Sequence, residues 1–167
     1  MNSVLQISNR RDAEAQRLCE LFPTREKILE VGSQLSQLPQ TEIRTKHEFA
    51  DNCYLRTAFM PANTLVIGHI HRTRHLNRML TGRMAVLMDG RVTEIVAPCE
   101  FYSEAGTQKI AIILEDVEFV NVFPLEGLEH CGRDLDKLEE ALSVDCAKLA
   151  GGFSDALPGT TQGALTV

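Results

Sequence analysis

The sequence predicts a mainly β fold: an antiparallel barrel or jelly roll with a helical arm at each end. Three observations carry this. Between about residue 43 and Pro124, short runs rich in Val, Ile, Phe and Thr alternate with turn residues, the pattern of small antiparallel sandwiches and barrels. Asp89-Gly90 joins two such runs, and a two-residue Asp-Gly link marks a tight hairpin because both positions need positive φ. Outside this region the apolar residues recur at helical rather than strand spacing. The chain of 167 residues therefore divides into a helical N-terminal arm (1–43), a β-barrel (44–124) and a C-terminal helix with a flexible tail (125–167).

Taken in order, residues 1–10 show no period. Residues 11–22 are polar with apolar spots at Ala15, Leu18 and Cys19, which predicts a short surface helix that Pro23 ends. Thr24 can cap the next helix, whose stripe is Ile28, Val31, Leu35 and Leu38, closed by Pro39. Strands are expected over Tyr54 to Met60, Leu65 to His71, Met84 to Met88, Arg91 to Val96, Ile110 to Leu114 and Val117 to Phe123. Glu104-Ala105-Gly106-Thr107 reads as a turn, and Glu115-Asp116 as a hairpin turn. Asp134 can cap a last helix bearing Leu135, Leu138, Leu142 and Leu149 on one face, stopped by Gly151-Gly152. The segment after Phe153 carries one charge and much Gly, Thr, Pro and Ala. Such a tail is expected to be disordered alone or draped on a partner.

Composition narrows the function. A net charge of −6 gives no reason to expect bulk nucleic-acid or membrane binding. No apolar run approaches the roughly 20 residues that span a bilayer. Met1-Asn2-Ser3-Val4-Leu5-Gln6 lacks the basic start and long apolar stretch of a signal peptide. The five cysteines are odd in number, scattered and in no CxxC pair, which fits reduced thiols. The expected compartment is intracellular.

The densest chemistry lies at His69-Ile70-His71-Arg72-Thr73-Arg74-His75, where three of the five histidines fall within seven positions. On a strand, residues two apart share a face, so His69 and His71 would project together and Ile70 away from them. A turn could return His75 to the same spot. Three imidazoles converging on one point are enough for a metal. Arg72, Arg74, Arg78, Arg83 and Arg91 crowd the same region. They suit either a carboxylate or phosphate near a pocket, or a solvated face that keeps edge strands apart; the second is favoured. His130-Cys131 has no partner at metal spacing and reads as loop. Cys99, beside a strand, reads as a small apolar residue.

Read as a pattern, this stretch is HxH, three residues, His75, six residues, Gly82. It resembles the first motif of the cupin superfamily of jelly-roll proteins, with His75 at the position usually held by Glu. The family's leading Gly would fall on Asn63. In the second motif, Glu104-Ala105-Gly106 aligns with PxG, keeping the Gly, and Lys109 falls where the fourth ligand, His, would stand. The resemblance covers roughly residues 44–124. The segments Pro61-Ala62-Asn63-Thr64-Leu65, Ile67-Gly68-His69-Ile70-His71 and Gly106-Thr107-Gln108-Lys109 are also similar to small single-domain cupins of bacteriophages. That looser likeness implies a viral or prophage origin.

The resemblance implies a divalent metal, Zn, Fe, Ni or Mn, held by His69, His71 and His75. An ammonium must lose its proton before it can ligate, so Lys109 is expected to bind an anion, pair with an acid, or lie outside the site. Lys109, Glu104, Tyr102 and Arg83 are the candidate ligand-binding residues; no catalytic residue is assigned. Three functions follow. The first is a non-enzymatic module that binds a metal or small ligand and acts by self-assembly or protein interaction. The second is a virion or assembly component with a scaffold-only barrel. The third is a metal-dependent oxygenase, isomerase or decarboxylase acting on a small carboxylate or sugar. The broken second motif and the lack of an acid/base pair favour the first. Cupin-like barrels commonly dimerise or form rings, so a homo-oligomer is expected, with other phage or virion proteins as further partners.

Overall fold

The computed structural model describes residues 24–35, 37–88 and 91–144. The helix expected over residues 11–22, the Asp89-Gly90 turn, Leu149, the Gly151-Gly152 stop and the tail lie outside the described residues. The described chain runs α1 (Arg25–Leu35), β1 (Arg44–Ala50), β2 (Cys53–Met60), β3 (Leu65–Ile67), β4 (Ile70–His71), β5 (His75–Met88), β6 (Arg91–Val96), β7 (Cys99–Ser103) and β8 (Ile110–Pro124). A 3-10 turn (Glu129–Cys131), α2 (Leu135–Leu142) and β9 (Ser143–Val144) follow. The fold is mainly β and antiparallel, with helices before and after the strands, in a jelly-roll-compatible arrangement. Among the described residues no helix is long and apolar enough to cross a membrane.

Two long central strands organise the sheet. The first half of β8 pairs with β3 and with the second half of β5, which also carries β6. The second half of β8 pairs with β2 and with the first half of β5, which also carries β7; β1 is the outer strand on β2. The register shifts between Met79 and Met84 in β5 divide the two halves. Gly82 lies in that bend at φ 85°, and a Cβ there would stand 2.2 Å from the Asp116 carbonyl oxygen. Only a glycine permits both the backbone angle and that approach. The main core contains Met60, Met79, Met84, Val86, Ile95, Phe101, Ile113, Val117 and Phe119. On the other face of β5, Ala85 and Leu87 with Ile110 pack against Ile28 and Val31 of α1.

Both expected helix caps form: the Lys27 amide donates to Thr24 Oγ1 at 3.2 Å, and the Lys137 amide donates to Asp134 Oδ1 at 3.2 Å. Four expectations change. Leu38 falls beyond α1 and is exposed, so the buried stripe stops short of it. The last helix ends at Leu142, because Ser143 and Val144 turn back to pair with His71 and Ile70. Glu115-Asp116 is no hairpin turn but the bend within continuous β8. The strand expected from Leu65 to His71 breaks after Ile67, where the Gly68 amide donates to the Lys109 carbonyl at 2.8 Å.

Candidate functional site

At one end of the core the inward side chains become polar. His75, Asn77 and Met79 alternate inward along β5. Ser103 on β7 sits opposite His75 in the ladder, and Asn121 on β8 sits opposite Asn77. Lys109, just before β8, reaches into this group. Its Nζ donates to Ser103 Oγ at 2.6 Å and to Asn77 Oδ1 at 3.1 Å. Asn77 is the hub: its Oδ1 also accepts from Asn121 Nδ2 at 2.9 Å, and its Nδ2 donates to Ser103 Oγ at 2.9 Å and the Phe101 carbonyl at 3.2 Å. Asn77 and Ser103 are 0% and 1% exposed, so the ammonium sits among buried neutral dipoles. No carboxylate among the described residues pairs with it. Burial therefore draws its pKa from 10.5 down to about 7.

His71 and His75 close one side of this group. Their rings meet edge to face with centroids 4.7 Å apart, and both lie against Phe123. His75 Nδ1 lies 3.0 Å from the Thr73 carbonyl and must donate to it, which leaves Nε2 as a lone-pair acceptor. That Nε2 is buried with no hydrogen-bond partner. Burial, reinforced by the Lys109 charge, lowers the His75 pKa to about 4. Burial and then His75 and Lys109 lower that of His71 to about 3. Both rings are neutral at pH 7. The Gly106 amide donates to the His71 carbonyl at 2.8 Å, so the expected turn at Glu104 to Thr107 helps to hold this strand in place.

The C-terminal arm lies across the same end. Ser143 Oγ is 3.3 Å from His71 Nδ1, the Arg72 amide donates to the Leu142 carbonyl at 2.7 Å, and Arg72 Nε donates to the Ser143 carbonyl at 3.1 Å. Leu138 and Leu142 of α2 pack with Tyr54, Phe123 and Cys131. Glu139 of α2 meets His69 Nδ1 at 2.6 Å, and this hydrogen bond lowers the Glu139 pKa to about 2.

The structure thus brings His71, His75 and Lys109 together, with His69 at the edge of the group, its ring centre 6.5 Å from that of His71, and the other candidates outside. His69 lies on the exposed rim with Glu139, because the break at Gly68 removes it from the strand alternation that would have pointed it inward. Glu104 pairs with Arg74 at 2.8 Å, whose guanidinium lies 3.9 Å from the Tyr102 ring centre, on the outer face. Arg83 pairs with Glu94 and Glu115 in the second half of β5. With Arg78 on Glu100, these contacts place Arg74 and Arg78 in surface ion pairs and Arg83 in part-buried ones. Asn77, Ser103 and Asn121 are site residues that periodicity did not reveal. A polar residue on the inward face of a strand looks in sequence like a solvated one.

A divalent metal does not fit these groups. Among the described residues no cluster of three His, Cys, Asp or Glu side chains could hold one. The site offers two imidazoles and a lysine amine, which in its protonated form opposes a second cation.

No known family model and no curated protein matches this chain. Solved structures similar to it are KdgF from Halomonas sp. (15% identity, TM-score 0.44, 52% of this chain and 83% of that one) and a cupin superfamily protein from Desulfitobacterium hafniense (9% identity, TM-score 0.44, 52% and 81%). Salicylate 1,2-dioxygenase from Pseudoaminobacter salicylatoxidans is also similar, at 12% identity and TM-score 0.47, over 62% of this chain and 33% of that one.

Proposed function

We propose that the chain is a non-enzymatic, cupin-like binding module whose ligand is a small oxyanion held by Lys109 beside His71 and His75, and which acts by associating with itself. The observation that carries this reading is the Lys109 side chain, part-buried on Asn77 and Ser103 with no acid paired to it among the described residues. A buried cation without a counter-charge is costly unless something compensates it. A small anion would do so. Glu104 and Glu139 are engaged with Arg74 and His69 on the rim, and among the described residues no carboxylate pairs with Lys109. Self-association is supported by exposed Leu80 and Tyr102, which lie on the outer face with the Arg74–Glu104 and Arg78–Glu100 pairs. A virion role stands on sequence resemblance alone and forms no part of the proposal.

The test is an NMR titration with formate, the smallest carboxylate, alongside metal analysis of the native protein. The reading expects saturable shifts at the Lys109, Asn77 and His75 side chains, lost in Lys109→Met, and far less than one equivalent of Zn, Fe, Ni or Mn. Stoichiometric metal that disappears in His75→Ala would overturn it, as would the absence of any formate response in the folded wild type.

A further inference from the structure

We infer that Lys109 is a carbon dioxide acceptor, taking up CO2 covalently on Nζ as a carbamate. The inference deepens the small-oxyanion reading and rests on it. Two features of the site lead there. Among the described residues the hydrogen-bond partners of Nζ, Ser103 Oγ and Asn77 Oδ1, are neutral, so no carboxylate locks it as an ammonium. Burial also draws its pKa down to about 7, which favours the neutral amine that attacks CO2.

The step balances with water as the base. The Nζ lone pair attacks the carbon of CO2, forming an N–C bond as one C=O π bond opens to a carboxylate oxygen. One Nζ–H proton is lost to solvent, leaving the N–H of the carbamate. Donors for the carbamate oxygens are already present. Ser103 Oγ accepts from both Lys109 and Asn77, so its own O–H is free to donate, and Asn121 has a second amide N–H to offer.

Closure favours this small molecule over bulkier carbonyl compounds. His71, His75, Asn77 and Ser103 are all buried, and Leu142–Val144 is laid against the same end. Carbon dioxide is three atoms long and uncharged, so its entry needs little room and no desolvation of a charge.

The experiment is 13C NMR of the full chain at about pH 8, equilibrated with 13C-bicarbonate as the source of dissolved 13CO2. It is paired with trialkyloxonium trapping and peptide mapping by mass spectrometry. The expected result is one carbamate resonance, lost in Lys109→Gln and kept in the surface variant Lys137→Gln, with the trapped adduct on the Lys109 peptide. No carbamate in the wild type, or one that survives Lys109→Gln, overturns the inference. If Lys109→Gln fails to fold, mapping of the trapped wild type decides: label on Lys109 supports the inference and label elsewhere overturns it. Formate shifts without a carbamate would sink this inference and leave the oxyanion reading standing; loss of both would sink both.

Discussion

Lys109 sets the electrostatics of the polar end, and its effect on stability has a definite sign. Its pKa is lowered from 10.5 in the open chain to about 7 in the fold, so between those values the unfolded chain holds more of the proton. Stability should therefore rise with pH across that window, and the penalty is fully present below about pH 7. Lys109→Met should be more stable than the wild type at pH 6 by about 1–3 kcal/mol, and the gap should close toward pH 10. Denaturant melts of both proteins at a series of pH values test this; a gap that does not change with pH contradicts it. His71 and His75 act at the acid end. Their pKa values fall from 6.5 to about 3 and about 4, so the unfolded chain again binds more protons, and stability should drop as pH falls below 6.5. At this scale the sequence was informative about type and poor about company. His71, His75 and Lys109 stood out because their spacing matched a known pattern. Asn77, Ser103 and Asn121 did not, because a hydrogen-bond network around a part-buried lysine leaves no periodic trace.

At the scale of elements, the bend between the two halves of the sheet hinges on Gly82. Gly82→Ala combines an unfavourable φ with a Cβ driven onto the Asp116 carbonyl, and should destabilise by at least about 3 kcal/mol. A thermal melt close to that of the wild type would show that the strands do not approach as described. The C-terminal arm makes a second test. Leu138 is fully buried, so Leu138→Ala should cost about 2–5 kcal/mol and loosen the cover over His71, seen as faster amide exchange at Ile70 and Arg72. Glu139→Gln weakens a half-exposed pair with His69 and should cost only about 0.5–1 kcal/mol near neutral pH. Equal losses from the two substitutions would place the arm's hold in the ion pair rather than in apolar packing. The elements were legible where apolar residues alternate cleanly, as in β2, β6 and the ends of β8. They were hidden where function or exposure breaks the alternation. β1 is a polar outer strand, and the first half of β5 buries a histidine and an asparagine where an apolar residue would have announced it. β9 is two residues long and exists only through its pairing with β4.

For the whole molecule, the proposed ligand site lies at the end covered by Leu142–Val144, and the proposed self-association would use the outer sheet face. Light scattering should give a mass near a multiple of 18.6 kDa above one, and Leu80→Arg with Tyr102→Glu should return it to 18.6 kDa without unfolding the chain. A wild-type mass of 18.6 kDa at high protein concentration would remove self-association from the proposal. The antiparallel architecture could be read from turn chemistry and strand spacing, which are local properties. The fate of His69 could not, since it depends on the break at Gly68 and on a helix seventy residues further along the chain. The most direct test of the central claim is a pH titration of Lys109 followed at its side-chain 13Cε by NMR, with and without formate. The account predicts a midpoint near 7 that formate moves upward, because an anion favours the charged amine. A midpoint near 10.5, unmoved by formate, would contradict it.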